Sequence, residues 1–290
     1  MIFASLRTAA VAAVLAFLAA AAAAAEGTPA APASGPRLRI VDATRAGDPA
    51  LRRCALLFSL RENLPVGIDR GGAADALAKL DAGEADLAIL PAAEFPAGAS
   101  GWYRSRFYAA EALICCVAPE NPLPKISRKE LRSLLLAEKP DWRRLTGDAA
   151  EIHRYALSAR ADGAGLAEHL LGVRDLAVGI TRLGSAGEVL LMLAADPAGL
   201  GVASWRPELP ANVKAVAVDG VRPGEDEIRS GRYPLALRYV VVAPRNASPG
   251  VRKMLADLDS PVHDRELLDA GWLPPPPRVP GGGKGRHRQK

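Results

Sequence analysis

The chain has 290 residues, of which 49% are hydrophobic, 5% aromatic and 24% charged, with 27 Gly and 24 Pro. This is a globular composition with many turns, longer than one core comfortably supports, so two domains or one elaborate α/β domain is expected. The formal charge of +5 sits at the ends: residues 1–25 carry one base and residues 274–290 five, with no acid in either, leaving 31 of the 37 bases against all 32 acids between them. A near-neutral middle argues against a basic nucleic-acid-reading domain.

In chain order, Arg7 precedes an uncharged run, residues 8–25, rich in Ala, Val and Leu, which ends in small residues before Glu26. Those are the parts of a cleaved secretory signal, residues 1–25, which puts the mature chain outside the cytoplasm. A retained membrane anchor is the alternative, since about 18 apolar residues nearly span a bilayer. Residues 26–37 read as an Ala/Pro/Gly/Ser linker. Strand and helix then alternate: strand 38–41, helix 49–61, strand 66–68, helix 73–80, strand 85–90, strand 112–118. Ser127 and Glu130 form a capping box for a helix over 128–137; strand 152–158 leads to a helix over 166–171 with Gly172 as its stop. A second box, Ser185 with Glu188, opens a helix over 189–195, followed by strands 200–204, 213–218 and 237–243, a helix 250–258 and a segment near 266–270. Residues 274–290, Pro-rich, Gly-rich and basic, form a disordered tail.

Three cysteines, Cys54, Cys115 and Cys116, are read as buried thiols, with one bridge through Cys54 as the alternative. His153, His169, His263 and His287 are scattered and read as ordinary surface or helix positions, and no Cys/His spacing suits zinc. No G-x-S-x-G, H-E-x-x-H, S-x-x-K or Walker pattern is present, so a binding module is expected rather than an enzyme, with no cofactor and no metal.

Several motifs resemble the periplasmic phosphate-binding protein family and the wider type II extracytoplasmic solute-binding proteins. Arg160-Ala161-Asp162-Gly163-Ala164-Gly165-Leu166 is similar to that family's Arg-x-Asp-Gly-Ser-Gly-Thr loop. Gly71-Gly72-Ala73-Ala74 resembles its Gly-Gly-Ser-Gly helix start, and Asn121-Pro122, Ser185 with Glu188, Val218-Asp219-Gly220 and Tyr233-Pro234-Leu235 occur in the family's order. The resemblance implies an α/β, two-lobed type II periplasmic-binding-protein fold, mixed sheets flanked by helices, with a ligand cleft between the lobes. Lobe 1 would be residues 38–112 plus 238–273 and lobe 2 residues 113–237. It further implies a monomer that delivers a small, phosphate-like oxyanion to an ABC-type permease, with no nucleic-acid partner.

Helix N-termini carry unpartnered N–H groups and a partial positive charge, and glycine lets an anion approach them closely. The candidate ligand-binding residues are therefore Gly72, Ala73 and Ala74 in lobe 1 and Arg160, Asp162, Gly163, Ala164 and Gly165 in lobe 2, with Thr44 and Arg45 at the exit of the first strand. A plain turn at Gly72, a helix cap at Asp162 and an ion pair at Arg160 are the competing readings. The sequence departs from the family where hydroxyls are expected: alanines stand at Ala73, Ala74 and Ala164, Leu166 replaces Thr, and Pro91-Ala92 replaces an Asp. Each lost bond to a charged ligand is worth about 1.5–3 kcal/mol. The alternative function is thus a site-degenerate relative with a structural or signalling role at the cell envelope.

Overall fold

The computed structural model describes residues 37–277 apart from Ala46, Arg160 and Asp162. The signal, nearly all of the linker and residues 278–290 of the basic tail lie outside the described residues. Residues 274–277, the rest of that tail, carry no helix or strand.

Lobe 1 opens with β1 (Leu38–Asp42), α1 (Pro49–Glu62), β2 (Val66–Arg70), α2 (Ala73–Asp81) and β3 (Leu87–Pro91). β1 lies between β2 and β3, parallel to both. α1 begins at Asp48-Pro49: the Asp48 side chain accepts from Leu51 N at 3.0 Å and proline occupies the first turn, where its missing N–H costs nothing. The chain then enters β4 (Tyr103–Val117), 15 residues long. After β5 (Lys125–Ile126) and α3 (Arg128–Leu136), lobe 2 contains α4 (Arg143–Thr146), β6 (His153–Leu157), α5 (Ala164–Leu171), β7 (Ile180–Leu183), α6 (Ala186–Ala194), β8 (Gly199–Ser204), β9 (Lys214–Ala215), β10 (Ala217–Val218) and α7 (Glu225–Ser230). β11 (Ala236–Pro244) returns to lobe 1, which α8 (Pro249–Asp257) and α9 (Pro261–Asp269) complete. Both of these helices repeat the α1 device, with Ser248 and Ser260 capping ahead of a proline.

The two lobes share one strand. From Tyr103 to Ala112, β4 pairs antiparallel with β11; from Leu113 to Val117 it pairs antiparallel with β8. The change of partner falls between Ala112 and Leu113, and Leu113 N donates to Leu235 O just ahead of β11. β1, β2 and β3 run the same way as β4, toward this crossing, while β8, β6 and β7 run toward it from the other side. The carboxyl ends of both sets of parallel strands therefore point toward the same crossing, and in open α/β sheets ligands bind beyond such ends.

Two sequence expectations change. The strand expected over 112–118 starts nine residues earlier, because Arg104, Arg106 and the buried Glu111 interrupt its apolar character. The single strand expected over 213–218 is two short ones: β9 pairs with β4, and β10 with β5. All three cysteines are free thiols: Cys115 and Cys116 are buried in β4, and Cys54 is half-buried on α1. Arg154, almost fully buried on β6, donates to the carbonyls of Leu134, Ala137 and Glu138 and so caps the C-terminus of α3. Arg154→Met orphans these carbonyls and should lower unfolding free energy by about 2–4 kcal/mol, read as a fall in urea midpoint at constant slope.

Buried polar groups gather at the crossing. A β-bulge between Tyr239 and Val240 leaves Tyr108 without a strand partner of its own. The Tyr108 hydroxyl donates to Asp48 and lies 2.9 Å from His263 Nε2, so His263 is a core residue and not a surface one. Alongside, the Tyr239 hydroxyl donates to Glu111 Oε1 at 2.6 Å. Burial pushes Glu111 up to about 7, with the Asp48 and Asp42 charges adding to it and Tyr239 and Arg45 opposing. Burial likewise pushes Asp48 up to about 6 and His263 down to about 4. A carboxyl with a raised folded value holds a proton that the unfolded chain releases, so Glu111 makes stability fall as pH rises from 4.5 to 7. Glu111→Gln should make the slope of stability against pH less negative in that window, by up to about 1.4 kcal/mol per pH unit, measured by urea denaturation across the range.

Candidate functional site

On one side of the crossing stand the turns that follow β1 and β2. Asp42, the last residue of β1, is fully buried, and the next turn folds around it. Its Oδ1 accepts from Thr44 N at 2.9 Å and Thr44 Oγ1 at 2.5 Å; its Oδ2 accepts from Asp48 N at 3.1 Å and Arg70 Nη1 at 2.8 Å. Thr44 is thus buried, its hydroxyl hydrogen committed to Asp42 and its oxygen 3.3 Å from Arg70 Nη1. Arg70 Nη2 also donates to Arg45 O at 3.0 Å. Arg45 N lies 3.4 Å from the Tyr239 hydroxyl, and its side chain is exposed. The turn is held at three points, and what it presents is the Arg45 guanidinium.

Beside it, Gly72 is the N-cap of α2 with extended backbone (φ −85°, ψ 168°) and no side-chain cap bond. A Cβ placed there would touch nothing within 4 Å, so Gly72 borders open space. Ala73 points into the core and Ala74 is exposed. The first bond along this helix is Ala76 N to Gly72 O, so the N–H groups of residues 73–75 face outward from the helix end. One feature opposes an anion here: the Asp75 carboxylate folds back toward Gly71, where an added Cβ would collide with it, while also pairing with Lys79 at 3.1 Å. A carboxylate at a helix N-terminus occupies the favourable field that an anionic ligand would use.

On the other side of the crossing, Gly163 is the N-cap of α5 with φ +81°, a left-handed conformation suited to glycine. A Cβ at Gly163 would meet Ser204 Oγ, the end of a rotatable side chain, so the left-handed backbone is what favours glycine here. Gly165 is exposed, and a Cβ there would meet nothing within 4 Å. Ala164 is the first residue of α5; Arg160 and Asp162 lie outside the described residues. Ser204 sits level with Leu113, at the point where β4 changes partner. Thus Gly163 flanks the same crossing that Tyr239 and Arg45 flank from the other lobe.

The two walls feel each other. Burial and then the Arg45 charge hold His169, on α5, below its ordinary value, and Glu94 of lobe 1 opposes that effect. An ionisable group on lobe 2 is therefore within electrostatic range of two groups on lobe 1. His169, Asp42, Arg70 and Tyr239 were not singled out from the sequence. A polar residue ending a strand, as at Asp42 and Arg70, is the signal available for two of them. Among the described residues, no group of three His, Cys, Asp or Glu side chains could hold a metal, and no helix is long and apolar enough to cross a membrane.

No family model matches the chain. Its sequence is 24% identical over 172 residues, 57% of this chain, to the phosphate-binding protein PstS of Bacillus subtilis (strain 168). That match spans 56% of the relative, little more than half its length. Among solved structures, a possible phosphate binding protein from Planctomyces limnophilus DSM 3776 aligns with a TM-score of 0.69 at 17% identity, over 83% of this chain and 94% of that one. An ABC-type phosphate transport receptor from Vibrio cholerae aligns with a TM-score of 0.61 at 18% identity, over 82% and 100%. The motif resemblance, the partial sequence similarity and the shared course of the backbone agree: this chain has the two-lobed type II periplasmic-binding-protein fold and resembles the phosphate-binding receptors in sequence.

Proposed function

We propose that the protein is an extracytoplasmic solute-binding protein that closes two lobes on a small oxyanion, phosphate or a phosphate-like ion, and hands it to a membrane permease of the ABC type. The observation that carries this reading is the pairing of two glycine-entered helix starts, Gly72 on α2 and Gly163 on α5, at strand ends that run toward one crossing. In it, the first-turn N–H groups at Ala73, Ala74, Ala164 and Gly165 supply donors from both sides. Arg45 supplies charge, Arg160 and Asp162 complete the lobe 2 loop, and Thr44 acts by fixing the turn that carries Arg45. Two partial positive ends and a guanidinium repel one another across an empty crevice, and an anion between them converts that repulsion into attraction in both directions. Closure then results from differential affinity for the closed state. The reading takes the lobes as residues 38–112 with 238–273 and residues 113–237, the working form as a monomer without catalysis, and export as directed by residues 1–25.

A second reading, a relative that no longer binds a solute, draws support from Asp75 over the entrance to α2 and from alanines where hydroxyls would strengthen capture. The two part on one experiment. Under the first reading the purified mature chain gains thermal stability and becomes more compact in small-angle scattering with at least one of phosphate, arsenate, sulfate and molybdate. Gly72→Asp, which puts a carboxylate into open space at an allowed backbone conformation, should weaken that binding at least tenfold while leaving the unliganded melting temperature within about 2 °C. No response to any of the four ions sinks the proposal and leaves the second reading standing.

A further inference from the structure

Beneath α5 lies a cavity of about 150 Å³, set between that helix and three adjacent strands, β4, β8 and β6. Leu113, Val202 and Leu157 line it from the sheet, and Leu135 of α3 with Val173 and Leu176 close it from the side. Leu113 is the first residue of β4 to pair with β8, which brings the cavity to the crossing itself. The helix side is made of small residues, Gly163, Gly165 and Ala167, and their lack of bulk leaves the space open. The charged groups on the lining are committed elsewhere: Arg174 pairs with Glu168 at 2.8 Å, and Arg182 Nη2 donates to Leu176 O at 3.0 Å. What remains is hydrocarbon, joined through Gly163 and Gly165 to the first turn of α5, whose N–H groups the helix leaves without internal partners.

We propose that the solute is a phosphoryl group carrying one apolar substituent, an organic phosphonate or a phosphate monoester, with the substituent seated in this cavity and the oxygens at the start of α5. The proposal rests on the oxyanion reading given above and names its substrate class. An apolar cavity of about 150 Å³ stays dry and takes up a molecule the size of benzene, which sets the upper size of the substituent. An unfilled void leaves its walls without contacts, and a ring or short alkyl chain restores them. An inorganic oxyanion is polar on every face and pays to leave water for such walls. Residues 163–167 carry no side-chain donor, so this helix meets an anion with backbone amides alone. A substituted phosphoryl group has three terminal oxygens to satisfy instead of four, and its remaining vertex asks for hydrocarbon.

The test is calorimetric titration of the full mature chain with orthophosphate, with methyl-, propyl-, phenyl- and biphenylphosphonate, and with phenyl phosphate. Affinity is expected to climb from methyl to phenyl, at least tenfold beyond orthophosphate for phenylphosphonate or phenyl phosphate, and to drop for biphenylphosphonate, which exceeds the cavity. Ala167→Leu, which fills the space from the helix side, should remove the gain due to the phenyl group and leave orthophosphate affinity within about twofold. The series on the unaltered chain decides the matter even where that variant fails to fold. Orthophosphate binding as tightly as both phenyl compounds overturns this proposal and leaves the oxyanion reading intact, whereas no binding by any of the compounds overturns both. Phenylphosphonate affinity unchanged in folded Ala167→Leu overturns the placement of the substituent. Benzyl alcohol binding as tightly as phenylphosphonate overturns the role of the phosphoryl group.

Discussion

The molecule is organised by the continuity of one strand. β4 supplies ladder bonds to β11 over its first ten residues and to β8 over its last five, so the lobes are joined through an unbroken backbone rather than by a flexible tether. Because every backbone donor and acceptor in a buried strand must find a partner, the neighbours on each side are aligned by β4 itself. This alignment, more than any side chain, turns the carboxyl ends of two separate sets of parallel strands toward each other. The helix starts at Gly72 and Gly163 follow strands that are directed at that one crossing from opposite sides.

Around that crossing the protein concentrates buried acids. Asp42 is paired with Arg70 and accepts from three other donors, whereas burial raises Asp48 and Glu111 against the opposing hydrogen bonds of Tyr108 and Tyr239. The arrangement fixes the β1 turn firmly while limiting the negative field behind it. With Asp42 compensated and the other two carboxyls holding protons well above their ordinary range, the Arg45 guanidinium is the charge that the turn projects toward α5. Asp75 is the exception, a carboxylate left at the mouth of α2, partly offset by Lys79.

The alternation of strands and helices, the capping pairs at Ser127 and Ser185 and the glycine-entered helix starts were legible because each is a local rule: apolar period, a short polar cap or a missing Cβ. The first half of β4 was not, since Arg104 is exposed, Arg106 pairs with Asp259 and Glu111 is buried against Tyr239, and none of these leaves an apolar pattern. β7 escaped notice at four residues with two exposed, and α7 hid behind an acidic run. His263 read as an ordinary surface or helix position; it does lie on a helix, and its burial depends on Tyr108, 155 positions away. The candidate site was read from backbone features alone, Gly72 and Gly163, while the polar contacts around it join distant segments, Asp42 with Arg70 and Arg45 with Tyr239.

Cys115 and Cys116 occupy consecutive positions in β4, so their side chains point to opposite faces of the sheet and both are fully buried; burial pushes Cys115 up to about 12 and raises Cys116 as well. Cys54 is held up to about 12 as well, by burial and by the Asp257 and Asp48 charges. Thiol exchange proceeds through the thiolate, and all three sulfurs are kept protonated. The folded state therefore draws no covalent cross-link from its cysteines, and the closed sheet covers the adjacent pair Cys115 and Cys116 on both faces.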